Sequence, residues 1–184
     1  LTDTREFRTV SIIVGPTLPE PHYSTVKQVW ADLDTEFGFG SMVNPFPHFT
    51  LYGLDDADLG AVERVVEDVA ANHDPFSVRT DGLGVFPGNH VYVPVTHSRA
   101  LGALHHEIVD ELRALGDPLM PFYEPDSWFP HVGLALGVDD EQTGEVVSFL
   151  LDYDFAWEFT VDNVEVERLD DEARQFERVA SVDL

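Results

Sequence analysis

The sequence predicts an α+β fold in which two similar βαβαβ halves form a bilobal, pseudo-twofold unit with a central cleft and helices on the outer faces. Three observations predict it: a repeat at an offset of 83 residues, strand and helix periods that alternate within each half, and the lack of a linker between the halves. The segment Phe46-Pro47-His48-Phe49-Thr50-Leu51 recurs as Phe129-Pro130-His131-Val132-Gly133-Leu134. At the same offset, without a gap, Val10 matches Val93, His22 matches His105, Val26 matches Val109, and Phe76-Ser77-Val78 matches Phe159-Thr160-Val161. Repetition over that length indicates duplication of a whole supersecondary unit.

The elements follow in order. Residues 7–14 alternate as a strand with Val10, Ile12 and Val14 on one face, and 91–96 do so through Val91, Val93 and Val95. Helical spacing follows over 23–37 (Val26, Val29, Trp30, Leu33) and 98–115 (Leu101, Leu104, Ile108, Leu112, Leu115), with Gly38 and Gly116 as stops. The two Phe-Pro-His strands come next, then helices at 57–71 and 140–151 that Asp56 and Asp139 are expected to cap. Strands at 76–86 and 155–168 close the halves, and a terminal strand is expected at about 175–183. Half one spans about 7–88 and half two about 90–171, and with 184 residues the chain suits one bilobal domain. Pro87-Gly88-Asn89 is a turn, too short to be a linker.

Composition narrows the chemistry. Without cysteine there is no disulfide, thiolate nucleophile or Cys-ligated metal. No run approaches the roughly 18 apolar residues of a membrane span, and the first residues lack a basic stretch followed by an apolar one. A soluble, cytoplasmic protein, working as a monomer and without membrane contact, is expected. Asp and Glu number 35 against 10 Lys and Arg, for a formal charge of -25, and Lys27 is the sole lysine. Such a carboxylate surface resembles that of proteins from salt-loving organisms, where a Debye length of about 3 Å at molar salt screens self-repulsion. It also disfavours duplex DNA and long RNA, whose binding rests on Lys and Arg. Short acidic runs such as Asp55-Asp56-Ala57-Asp58 are expected at helix starts, where they complement the macrodipole.

Strand alternation places His48, Thr50 and Tyr52 on one face, with Phe49 and Leu51 on the other. His131, Gly133 and Ala135 likewise oppose Val132, Leu134 and Leu136. Two histidines, each following Phe-Pro and each turned from the apolar layer, are expected to converge on the cleft. Thr9, Ser11 and Tyr92 should also face it.

These paired motifs, His-Phe-Thr-Leu and His-Val-Gly-Leu, resemble the two His-x-Thr/Ser motifs of the two-histidine phosphoesterases, the superfamily of 2′-5′ RNA ligase-like proteins and 2′,3′-cyclic phosphodiesterases. The resemblance extends over almost the whole chain, including Leu83-Gly84-Val85-Phe86 and Trp128-Phe129-Pro130-His131. It implies a metal-independent phosphodiesterase without cofactor, in which one of His48 and His131 is base and the other acid. An imidazole, with an unperturbed pKa of about 6.5, suits both tasks. The implied substrates are small phosphodiesters, cyclic nucleotides or RNA ends, and Thr50 would donate to a phosphate oxygen. Gly133 departs from the pattern, because Thr or Ser is expected there. Loss of one such donor costs on the order of 10²-fold, so a non-catalytic nucleotide or RNA-end binder is the alternative. Tyr52, Tyr92 and Gly133 complete the expected substrate contacts.

Trp128 and Phe129 are candidates for base stacking, although the repeat of Phe46 favours core packing for Phe129. His105, His106 and Glu107 match a zinc motif poorly and are expected on a solvated helix surface, so no metal site is expected.

Overall fold

The computed structural model describes residues 10–170 and 172–184. The expected strand at 7–14 starts, within that range, as β1 (Val10–Gly15), and residues 7–9 lie outside it. Helix α1 (His22–Phe37) follows, burying Val26, Val29 and Leu33 and ending on Gly38, whose φ of 73° and N–H bond to the Asp34 carbonyl make a left-handed cap. Next come β2 (Tyr52–Ala57), α2 (Leu59–Ala70), β3 (Phe76–Arg79) and β4 (Gly84–Phe86). The second half runs β5 (His90–Pro94), α3 (Arg99–Leu112), β6 (Asp117–Pro118), a 3₁₀ turn at Pro121–Tyr123, β7 (His131–Ala135), α4 (Thr143–Leu150), β8 (Glu158–Val161) and β9 (Asn163–Asp170). The terminal strand is β10 (Gln175–Asp183).

Three antiparallel sheets result: β10-β9-β1-β2-β6, β4-β5-β7 and the pair β3-β8. The duplication is visible in the last of these, because Ser77 pairs with Thr160, its own counterpart in the repeat. The pseudo-twofold axis therefore passes between them. The halves also share strands, for β9 from the second half pairs with β1 from the first. Helices α2 and α3 pack together, α2 on β9 and β10 and α3 against β2, while α1 crosses to β7 and contacts α4. The helices thereby cover sheet faces rich in Val, Leu and Ile, and together these form the core.

Several expectations are corrected. The strands expected at 76–86 and 155–168 each divide in two, the first at a turn around Gly82, whose φ is 66°, and the second between Val161 and Asn163. Asp58, not Asp56, caps α2, accepting from the Ala61 N–H at 2.8 Å, and Asp56 ends up within β2 at φ 58°. Helix α4 starts at Thr143, so Asp139 contributes only its carbonyl to the turn before it. Helix α3 ends at Leu112, ahead of Gly116. Leu136, expected on the apolar face, lies past the end of β7 and is 54% exposed.

The single offset of 83 holds from the motifs onward but fails before them. Thr17 bridges His48, and Pro94 pairs with His131, so the strands before the motifs correspond at an offset of 77 (17 to 94). The second half has extra residues between α3 and its motif. They form β6, which extends the five-stranded sheet beside β2, and the turn that carries Tyr123.

Candidate active site

The first motif is not a regular strand. His48 makes an isolated bridge to Thr17, and continuous pairing begins at Tyr52. Pro16 and Pro47 lack N–H donors and interrupt the ladder, yet the segment still runs along β1 through Leu18 N to Pro47 O (2.9 Å) and Leu51 N to Val14 O (2.8 Å). Gly15 permits this approach, since a Cβ there would stand 2.2 Å from the Phe49 carbonyl oxygen. Alternation survives from 48 to 51: Phe49 and Leu51 are buried, while His48 and Thr50 are half-buried.

Each imidazole is held in the same way. His48 Nδ1 lies 2.7 Å from the Phe46 carbonyl, and His131 Nδ1 lies 2.7 Å from the Phe129 carbonyl. A carbonyl can only accept, so Nδ1 carries the proton in both rings and Nε2 is the nitrogen free for chemistry. His48 Nε2 is 3.2 Å from the Thr50 hydroxyl. Burial lowers the pKa of His48, against the Phe46 carbonyl and the negative charge of Glu165, which raise it. Burial also lowers that of His131, the Phe129 carbonyl opposes, and the charges of His48 and His90 lower it further. Charge on His48 is felt at His131, so the two motifs lie within electrostatic reach of each other.

Tryptophans fasten the third position of both motifs. The Trp128 indole donates to the Thr50 carbonyl at 3.0 Å, and the Trp30 indole donates to the Gly133 carbonyl at 3.1 Å. Tyr123, from the additional segment of the second half, hydrogen-bonds the Thr50 side chain. Gly133 itself opens onto space: an added Cβ would meet only Leu136 Cδ2, at 3.7 Å.

Aromatic rings wall the second motif. Tyr92 stacks on Phe86 at 3.9 Å, and both present edges to His131, at 5.3 and 4.9 Å. Phe129 stands edge-on to both and is 48% exposed, so it is not a core residue as the repeat suggested. Its counterpart Phe46 is half-buried beneath the Arg178 guanidinium, 4.6 Å away.

Tyr52, expected in the cleft, is fully buried, and its hydroxyl donates to Glu124 at 3.2 Å. The bend at Leu51 turns it to the core face, where it pairs in register with Val14. Ser11 donates to the Asp55 carboxylate, and Thr9 lies outside the described residues. His105 is 1% exposed rather than solvated; it stacks on Trp128 at 3.7 Å, and its Nε2 donates to the Tyr123 carbonyl at 3.0 Å. Burial pushes its pKa down to about 4. Glu107 pairs with His73 at 2.9 Å. Among the described residues, no group of three His, Asp or Glu could hold a metal ion.

Sequence reading missed a buried acidic pair. Glu165 and Glu167 alternate with the core residues Val164 and Val166 along β9, so they lie on the other face of the sheet, opposite Gly15 and Ile13. Glu165 forms an ion pair with Arg178 at 2.5 Å, and Asn44 donates to Glu167, whose pKa burial raises to about 7. The alternation of Asn163-Val164-Glu165-Val166-Glu167 was the available signal.

A sequence profile of the 2′-5′ RNA ligase superfamily matches residues 18–173, a span containing both Phe-Pro-His segments. The chain belongs to the 2′-5′ RNA ligase superfamily. Solved structures agree with a superfamily fold. TT0787 of Thermus thermophilus superposes with a TM-score of 0.69 at 16% identity, covering 95% of this chain and 97% of that one. E. coli LigT in apo form gives 0.65 at 13% identity, covering 96% and 98%. LigT has also been crystallised with phosphate, 3′-AMP, ATP and NADP+. The PDE domain of MHV ns2 gives 0.50 at 16% identity, covering 88% and 99%. Comparison with curated proteins yields no match in sequence. No described helix is long and apolar enough to cross a membrane.

Proposed function

We propose that this superfamily member is a metal-independent phosphodiesterase that opens 2′,3′-cyclic phosphates of nucleotides or RNA ends by paired-histidine acid–base catalysis. One observation carries the proposal: two imidazoles on the paired motifs, each with Nδ1–H tied to a carbonyl at 2.7 Å and Nε2 left for chemistry. In the reaction, neutral Nε2 of one histidine takes a proton from water as its oxygen attacks phosphorus. The P–O bond to one ribose oxygen breaks, and Nε2–H of the other histidine protonates that oxygen, leaving a phosphomonoester. Burial lowers the pKa of both rings, Glu165 opposes this at His48, and charge on His48 adds to it at His131. One of His48 and His131 is the acid and the other the base.

Thr50 serves as phosphate donor, Gly133 leaves room beside the phosphate, and Tyr92 forms part of the wall. Buried Tyr52 supports the strand from the core and touches no substrate. The LigT complexes with phosphate and nucleotides support small nucleotide ligands here as well. We further propose that the chain acts as a single bilobal domain and a cytoplasmic monomer, in high salt, without duplex DNA as a partner.

The test is hydrolysis of 2′,3′-cyclic nucleotides in EDTA and molar KCl, with products resolved by mass spectrometry. Turnover that requires an added divalent metal would refute the mechanism. Because Gly133 removes a donor, the second reading is a binder of nucleotides or RNA ends without turnover. Saturable binding of 3′-AMP with no hydrolysis of any 2′,3′-cyclic nucleotide would decide for that second reading.

A further inference from the structure

We infer that Asn44, fastened by the buried carboxyl of Glu167, is a positioning residue for His48: it fixes the peptide of Phe46, whose carbonyl holds the imidazole. Its effect on rate rests on the phosphodiesterase reading, and its effect on the imidazole does not. The contacts run in series. Asn44 Nδ2 donates to Glu167, the Phe46 N–H donates to Asn44 Oδ1 at 2.9 Å, and His48 Nδ1 donates to the Phe46 carbonyl at 2.7 Å. Asn44 thus reaches the imidazole through one residue, and Glu167, 2% exposed, anchors the series in β9.

The first motif needs such an anchor and the second does not. From residue 38 to 51 the chain forms no helix or continuous strand, apart from the bridge at His48, so no ladder orients the Phe46 peptide. Pro45 and Pro47, on either side of it, have no N–H to donate. Other elements hold the segment instead. Lys27 from α1 donates to the Pro45 carbonyl at 3.1 Å, Leu18 N donates to the Pro47 carbonyl at 2.9 Å, and Arg178 from β10 covers the Phe46 ring while pairing with Glu165. The Phe46 N–H goes to Asn44, closing the turn that an Asn side chain makes with the backbone two residues on. Glu167 in turn requires a donor, because burying a carboxyl without one is costly, so both ends of the Asn44 amide are committed. In the second half Ser127 stands in the place of Asn44, and its hydroxyl bonds the Pro121 and Glu124 carbonyls rather than the Phe129 peptide. His131 opens β7 and is aligned by pairing with Pro94.

The test is the tautomer of the His48 ring, read from its imidazole nitrogen NMR shifts above pH 7, where the ring is neutral. Wild type should carry the proton on Nδ1. In Asn44→Ala the Phe46 carbonyl is released, and the proton should move toward Nε2, which has the Thr50 hydroxyl 3.2 Å away as a competing acceptor. Glu167→Ala should do the same, whereas Glu167→Gln, whose amide oxygen still accepts from Asn44, should keep the wild-type tautomer. Ser127→Ala is the control and should leave the His48 ring unchanged. On 2′,3′-cyclic nucleotides Asn44→Ala should lower kcat by about 10²-fold, the cost of a small misplacement, with KM nearly unchanged because Asn44 touches no substrate. An Nδ1–H tautomer retained in folded Asn44→Ala, or a kcat at the wild-type value, would overturn the inference. Asn44 is half-buried, so this variant tests the series even where Glu167→Ala does not fold. If the wild type turns over no substrate, the proposed function fails, and the tautomer alone decides for or against Asn44.

Discussion

The Trp128 indole and the Thr50 carbonyl, 3.0 Å apart, join the residue that precedes the second Phe-Pro-His segment to the third position of the first motif. The bond joins the two halves, and His105 stacks on the same indole while bonding the Tyr123 carbonyl. Trp128→Phe keeps the stack and removes the bond. It should cost about 1 kcal/mol of stability, the net value of one hydrogen bond, and lower kcat more than it raises KM. Urea melts and steady-state kinetics check both; a normal kcat would mean that Thr50 is positioned without the indole.

His48→Ala and His131→Ala should each lower turnover at least about 10²-fold, the ordinary contribution of a general acid or base. The double variant should lose far less than the product of the single losses, since the pair acts as a unit. Near-wild-type turnover in either single variant would remove the mechanism.

Burial lowers the pKa of both histidines from 6.5. The profile of kcat/KM against pH should be a bell, because one ring must be neutral and the other protonated, and its maximum should lie below pH 6.5. A maximum above pH 7 would contradict these environments.

Gly133→Ser places a hydroxyl in open space, with Leu136 the nearest neighbour at 3.7 Å. Turnover should rise by up to about 10²-fold if the missing donor limits the rate. Equal rates in a variant that folds normally would show that another group already fills the role.

Two buried groups impose opposite pH dependences on stability. Glu167, raised from 4.5 to about 7, contributes stability fully below pH 4.5 that is lost as the pH rises to about 7. His105, lowered from 6.5 to about 4, contributes stability above pH 6.5 that is lost as the pH falls to about 4. Their effects cancel between pH 4.5 and 6.5. Relative to wild type, Glu167→Gln should therefore gain about 3 kcal/mol across that interval as the pH rises. Denaturant melts at both ends of it would measure this, and parallel curves for the two proteins would refute the burial argument.

Much of the architecture was legible because duplication leaves the same period twice, and alternation alone separated His48 and Thr50 from Phe49 and Leu51. What escaped depended on contacts distant in sequence. A gapless repeat could not reveal the additional segment that brings Tyr123 to Thr50. Alternation carried past Leu51 misplaced Tyr52, because a bend shifts the register by one residue. Glu165 and Glu167 look like surface acids in the sequence, for their burial depends on Arg178 and Asn44 arriving from other elements. Phe129 and Phe46 occupy equivalent positions, yet a cation covers just one of them.

The pairing of β1 with β9 bears on how the chain comes to be folded during synthesis. Ile12 must wait for Arg168 before its sheet is complete on that side. A ribosome that has released only the first half presents β1 with an open edge, free to pair with a neighbouring nascent chain. Closure of so distant a pair is also slow compared with local helix formation. The two motifs, the sheet beside them and protection from aggregation thus all become available together, late in translation.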